Sequence, residues 1–307
     1  MDTKFVNYMV KRILLALVTI LFVITVTFFL MHAIPGGPFL GEKAITEEVQ
    51  RALEKKYGLD KPLITQYFTY LGDLLRFDFG LSLKQRGMTV KEIIFSGFAE
   101  SAKIGSLAAL IAIIIGIILG SAAAVRRNKT TDKVTMVVST AFVAVPSFVI
   151  GTFILLLFFI AIPKLLGMPA PGGYIFPILT LSLYPMAYIT RLTRSSMLDV
   201  LGQDYIRTAR AKGVTKNKVI FKHALKNALI PVLTYVGPML AYILTGSLVV
   251  EKIFNVPGIS RAFINSITNR DYPLIMGTTV FLASLIVIMN LVTDILYRIV
   301  DPRIDFS

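Results

Sequence analysis

Few residues in this chain have the type and spacing for chemistry. His32 and His223 are its two histidines, too few and too far apart in sequence for a histidine metal cluster. There is no cysteine, which removes disulfides, thiolate nucleophiles and cysteine metal sites. A Gly-x-x-x-x-Gly-Lys-Ser/Thr loop, whose backbone N–H groups would cradle phosphates, does not occur. Any ATP hydrolysis would therefore fall to another chain. Asp294 and Asn290 lie in the last apolar run, where a carboxylate is a functional candidate by default, for instance in a proton relay. Arg298 follows one helical turn later, so an Asp294–Arg298 ion pair is the stronger expectation. The residues thus predict no catalytic group, no cofactor and no metal.

Cations carry the remaining signal. Between two apolar runs lies a charged stretch, Gln203 to Lys226, holding Arg207, Arg210, Lys212, Lys216, Lys218, Lys222 and Lys226. Asp204 is expected to cap a short helix whose first turn is Tyr205 to Thr208. Gly213 is expected to stop that helix, because a positive φ costs glycine little. Thr215 would cap a second helix, with Val219, Ile220, Ala224, Leu225, Ala228 and Leu229 as its apolar stripe. Helix, glycine joint, helix is the shape of a docking element. Its candidate contact residues are Asp204, Tyr205, Arg207, Thr208, Ala209, Arg210, Ala211, Lys212, Gly213 and Val214, with small Ala209 and Ala211 admitting a close approach. On the residues alone, an ordinary basic loop or an amphipathic helix lying on anionic lipid is equally open.

The elements that would position this stretch are membrane helices. Of 307 residues, 55% are hydrophobic and only 16% charged, against roughly 25% in soluble domains. Mean hydropathy is +0.72. A net charge of +14 could suggest nucleic acid, but the basic residues cluster beside apolar runs, where cytoplasmic orientation explains them, so no nucleic-acid partner is expected. Six spans are predicted, at about Ile13–Ile34, Ala102–Val125, Val134–Ile162 (with Pro146 as a kink), Tyr174–Thr190, Leu229–Val250 and Leu274–Ile299. The first is too long for a signal-peptide core and is read as an uncleaved helix.

Between the first two spans, residues 35–98 read as a helical extracytoplasmic insert, with Thr46 capping one helix closed by Gly58 and Pro62 opening another that carries Leu63, Tyr67, Leu71 and Leu74. Six spans put the N-terminus, the basic loop Arg126–Lys129, residues 191–228 and the C-terminus on one side. Burying so many cations in hydrocarbon would cost on the order of 20 kcal/mol, so the stretch is expected to be cytoplasmic or interfacial, and the bias of Lys and Arg toward inner loops makes its side the cytoplasm. The expected fold is all-α and integral to the membrane.

Arg207-Thr208-Ala209-Arg210-Ala211-Lys212-Gly213 followed by His223-Ala224-Leu225-Lys226 resembles the docking loop of binding-protein-dependent ABC importer membrane subunits, in the variant found in peptide importers. The general motif is Glu-Ala-Ala, three residues, Gly, nine residues, Ile-x-Leu-Pro. This chain keeps Ala209, Gly213 and Leu225 and has Arg207, Thr208, His223 and Lys226 at the other places. Tyr57-Gly58-Leu59-Asp60-Lys61-Pro62, Asp78-Phe79-Gly80-Leu81-Ser82, Pro257-Gly258-Ile259 and Asn269-Arg270-Asp271-Tyr272 are similar to outer segments of the same subunits.

The resemblance runs from Ile34-Pro35-Gly36 to Asp301-Pro302-Arg303 and implies one ABC importer transmembrane domain over 1–307, of the B type in oligopeptide importers. It further implies a heterodimer with a homologous permease subunit, two cytoplasmic ABC ATPase subunits, an extracytoplasmic peptide-binding protein, a peptide substrate, and a bacterial or archaeal cytoplasmic (inner) membrane. Dipeptides, nickel chelates or glutathione are open as cargo. So are an ion-coupled secondary transporter or channel, and a scaffold that moves nothing. No residue is assigned to substrate.

Overall fold

A segment that crosses hydrocarbon has to pair every backbone N–H and C=O within itself, and this chain does so with helices. A computed structural model of the chain describes residues 3–35, 37–39, 47–85, 87–169 and 171–300. Helices α1 (Thr3–Ala33), α2 (Glu47–Lys56), α3 (Leu63–Leu75) and α4 (Val90–Val125) come first, then α5 (Thr130–Ala144), α6 (Ser147–Leu155) and α7 (Ile162–Leu166). They are followed by α8 (Ile175–Leu201), α9 (Asp204–Ala211), α10 (Lys216–Lys218), α11 (Lys226–Ala228) and α12 (Ile230–Leu244). The last are α13 (Leu248–Ile253), α14 (Ile259–Thr268) and α15 (Tyr272–Val300). Among the described residues, pairing of β type is confined to an isolated bridge between Leu81 and Thr89. Among the described residues, six stretches are long and apolar enough to cross a bilayer, at Asn7–Ala33, Val90–Val125, Ser147–Leu166, Ile175–Leu201, Ile230–Ile253 and Tyr272–Ile295.

The boundaries correct the sequence-based expectation in three places. The second span starts at Val90, so residues 90–98, read as insert, are the first turns of α4. The fourth runs on past Thr190 to Leu201, taking Arg191 and Arg194 into helix. The third is broken rather than kinked. Val145 (φ −86°, ψ 127°) and Pro146 (φ −58°, ψ 139°) are extended and separate α5 from α6. Proline has no N–H for the carbonyl four residues back, and its ring pushes the preceding residue out of the α region. Residues Val143 to Phe148 border a cavity of about 630 Å³ that Thr180, Tyr184, Tyr235 and Tyr242 also line.

Contacts divide the chain into two compact units, Met1–Ala99 with Pro257–Leu285, and Glu100–Val256 with Ile286–Ser307. In the first, Ile24, Phe28 and Met31 of α1 form a helical stripe that packs with Tyr67, Leu71 and Leu74 of α3 and Met276 and Val280 of α15. Thr25 Oγ1 lies 2.7 Å from the Tyr67 hydroxyl. Helix α2 closes at Gly58 (φ +68°), with Leu59 N–H donating to the Glu54 carbonyl at 2.8 Å. The expected cap at Thr46 lies outside the described residues. Pro62 sits at the N-cap of α3, just before its first turn, and Leu63 is exposed, whereas Tyr67, Leu71 and Leu74 are not. Buried Asp271 gathers the loop between α3 and α4, accepting from Ser82 Oγ and, at 3.1 Å, from Leu83 N–H.

In the second unit, Gly116 and Gly120 put α4 against α8 as a small-xxx-small pair. A Cβ on Gly120 would stand 2.5 Å from the Thr190 carbonyl oxygen. The core beside this contact holds Ala109, Ile189, Val232, Met239 and Ile243.

Candidate functional site: a glycine-jointed elbow

The charged stretch folds as two short arms on the end of α8. The chain leaves α8 through Gly202, and Gln203 is extended (φ −73°, ψ 152°). Gln203, not Asp204, is therefore the N-cap of α9, since a cap must be non-helical and Asp204 already has helical geometry. The Gln203 carbonyl accepts from Ile206 N–H at 3.1 Å, while no side chain caps the helix. The Asp204 carboxylate instead accepts from Arg207 at 3.3 Å on an almost fully exposed surface, a pair of the weakest class.

Gly213 does what its type predicts. Its φ is +74°, its N–H donates to the Arg210 carbonyl at 3.0 Å, and Val214 N–H reaches back to the Ala209 carbonyl at 3.2 Å. That pair of bonds is the Schellman arrangement, which satisfies two of the carbonyls a helix end leaves open. A side chain at Gly213 would meet nothing within 4 Å, so the backbone angle alone demands glycine.

Thr215 is the N-cap of the second arm as expected, but through its backbone, with Val219 N–H on the Thr215 carbonyl at 3.0 Å and no side-chain cap. The second arm is not a regular α-helix. Val219–Leu225 is a π-helix between α10 and α11. The predicted stripe survives, with Val219, Ala224 and Ala228 buried. Its first step is five residues, the spacing of an i→i+5 turn.

What anchors the elbow is a residue absent from the predicted set. Ile206 is fully buried against Ala124, Met197, Val219, Ala224 and Ala228. It is the single large aliphatic residue of α9. Ala209 and Val214 pack on the same cluster and so face the chain itself. Tyr205, Arg207, Thr208, Arg210, Ala211, Lys212 and Gly213 are exposed, as are Asp204, Lys216, Lys218, Lys222 and Lys226. The Asn227 amide donates to the Tyr205 hydroxyl at 2.8 Å and ties one arm to the other. The result is an apolar inner face fixed to α8 and a cationic outer face.

A second group, also unforeseen, braces α8 just above. Arg194 Nε and Nη2 donate to the Asp132 carboxylate at 2.5 and 2.8 Å, and Asn128 N–H donates to the same carboxylate at 2.9 Å. These bonds, Arg194's first, hold the Asp132 carboxyl down at about 2 against the opposing effect of burial. The bidentate fork fixes α5 and the basic loop before it to the helix that carries the elbow.

Of the other sequence candidates, Asp294 is buried in α15 and Asn290 is exposed, while the side chain of Arg298 lies outside the described residues. His32 bonds through Nδ1 to the Phe28 carbonyl at 2.8 Å.

Comparison with known proteins gives the same direction over the whole chain. Residues 94–306 match the family described as binding-protein-dependent transport system inner membrane component, and residues 5–90 match its N-terminal companion. The dipeptide transport system permease protein DppB of Bacillus subtilis is 46% identical over 97% of each chain. The oligopeptide transport system permease protein OppB of Salmonella typhimurium is 42% identical over 98% of this chain and 99% of its own.

Among solved structures, an amino acid ABC transporter with histidines superposes with a TM-score of 0.54 at 18% identity, over 68% of this chain and 94% of that one. The MetNI methionine ABC transporter in an inward-facing form does so with 0.54 at 16% identity, over 69% and 97%. These two likenesses establish the shared fold, and the sequence matches establish more: this multi-pass membrane protein belongs to the binding-protein-dependent transport system inner membrane component family.

Proposed function

We propose that the chain is the B-type permease subunit of an ATP-driven peptide importer, forming half of the translocation path beside a homologous second subunit. The observation that carries this reading is the elbow, whose inner face is locked to α8 by Ile206 while its outer face offers Tyr205, Arg207, Thr208, Arg210, Ala211 and Lys212. A rigid projection with a free cationic surface suits a separate ATPase as its seat. The peptide cargo follows from relatives named for dipeptide and oligopeptide transport that match nearly end to end. In this reading the elbow, both termini and the Arg126 loop are cytoplasmic, and residues 35–89 face a peptide-binding protein outside.

ATP closes two ATPase subunits, the elbow follows them, and α8 with its Asp132–Arg194 brace moves as one lever. Docking has to differ in free energy between the inward and outward states, because equal affinity for both shifts no equilibrium. Since the chain contains no cysteine, one introduced at exposed Ala211 is a unique probe. It is expected to crosslink to the ATPase co-produced with this permease, with a yield that changes on adding ATP. A cysteine reactive only from outside the cell, or a crosslink to lipid alone, overturns the docking assignment. Uptake by reconstituted vesicles is expected to need ATP and a binding protein, and uptake driven by an ion gradient alone overturns the mechanism.

A further inference from the structure

A second site lies in the first unit. A cavity of about 250 Å³ is walled by Phe28 and His32 of α1, Tyr70 and Asp73 of α3, Asp78 of the turn that follows, and Tyr272 at the start of α15. Apart from the hydroxyls of Tyr57, Thr69, Tyr70 and Tyr272, which can donate as well as accept, its polar side chains lean to one side. His32 Nδ1 lies 2.8 Å from the Phe28 carbonyl, which can only accept, so in the neutral ring Nδ1 holds the proton and Nε2 presents a lone pair. That Nε2 is buried without a hydrogen-bond partner, and so is the Tyr70 hydroxyl. Asp73 and Asp78 add carboxylates, of which one Asp78 oxygen already accepts from Gly80 N–H at 2.9 Å.

Among the described residues, no lysine or arginine lines the space. The amide N–H groups of Gln66, the one carboxamide in that wall, both donate elsewhere, to the Leu59 and Lys61 carbonyls at 3.2 and 2.7 Å. Phe28 and Tyr272 flank the imidazole with ring centroids 4.4 and 5.2 Å from it, and aromatic faces attract cations. Burial drives the Tyr70 phenol well above its ordinary range, which keeps that hydroxyl neutral.

Lone pairs, carboxylates and ring faces without an opposing N–H donor make a host for a cation that brings its own protons. Among the described residues no three histidine or carboxylate groups converge as a metal would require. We infer that this cavity binds a primary ammonium group, supplied by a free amine or by the amino terminus of a peptide. The inference stands independently of the transport reading.

Its test titrates the full-length chain in lipid nanodiscs with n-butylammonium, read by saturation-transfer NMR against empty nanodiscs, with n-butanol as the neutral shape match. Saturable binding of n-butylammonium alone is expected, weakened at least about tenfold by Asp73→Asn and by His32→Phe. Asp73 is only half-buried, so Asp73→Asn keeps the test meaningful should His32→Phe fail to fold. Ala-Ala binding that N-acetylation abolishes identifies a peptide amino terminus as the source. Binding of butylammonium without Ala-Ala identifies free amines. No saturable binding, equal binding of n-butanol, or affinity unchanged by Asp73→Asn overturns the site.

Discussion

Asp132 shows how much one side chain can hold at the base of the elbow. With its carboxyl kept at about 2 by Arg194, the pair's contribution to stability is complete above the ordinary carboxylate value of about 3.9. It is lost as pH falls through about 2, because the folded state then has to take up the proton that the unfolded chain accepts more readily. Asp132→Asn leaves a half-buried guanidinium facing a neutral amide that can accept only part of its fork, and is expected to cost about 1.5–3 kcal/mol. The check is a lower Tm in detergent, recovered in part by adding Arg194→Leu.

At this scale the sequence was legible where backbone conformation selects the residue and illegible where tertiary packing does. Gly213 was readable because a positive φ singles out glycine. The cap was misplaced by one residue because Asp204 has the right side chain for a role that the extended backbone of Gln203 fills. Asp132 and Arg194 are known only from each other, 62 residues apart in the chain, and Ile206 only from the cluster it packs on.

Among the elements, hydrophobic run length was a sufficient guide to the number of spans, because hydrocarbon leaves the backbone no alternative to helix. Run ends were less readable. Helix α4 extends back through Lys91, Glu92, Glu100 and Lys103, and α8 forward through Arg191 and Arg194, since a helix does not stop where the apolar stretch does. The π-turn at Val219–Leu225 has no local mark, as its residues would serve equally in an α-helix. The α4–α8 contact rests on backbone approach, so bulk there is expected to act directly. Gly120→Val would drive a side chain into the Thr190 carbonyl, a collision with main chain that no rotamer relieves. A loss of about 1–3 kcal/mol or more is expected, seen as a lower Tm and poorer insertion, whereas the same change at open Gly72 should leave both intact.

For the whole molecule the division of labour is the main expectation. The purified chain should show no ATP turnover, and adding the partner ATPase should restore it in a form that replacing 204–228 with an inert linker abolishes. A further consequence comes from the gap between α5 and α6. Proline at 146 leaves the Phe142 carbonyl without its helical donor, although the chain on both sides is apolar. Such an oxygen needs another donor, a hydroxyl or water, or it costs several kcal/mol, and the tyrosine-lined space beside the gap is large enough for solvent. That space is therefore expected to hold water before any cargo arrives. A cysteine at Ser147 should react with a charged, water-borne thiol reagent, while one at Leu17, exposed on the first span, should stay silent.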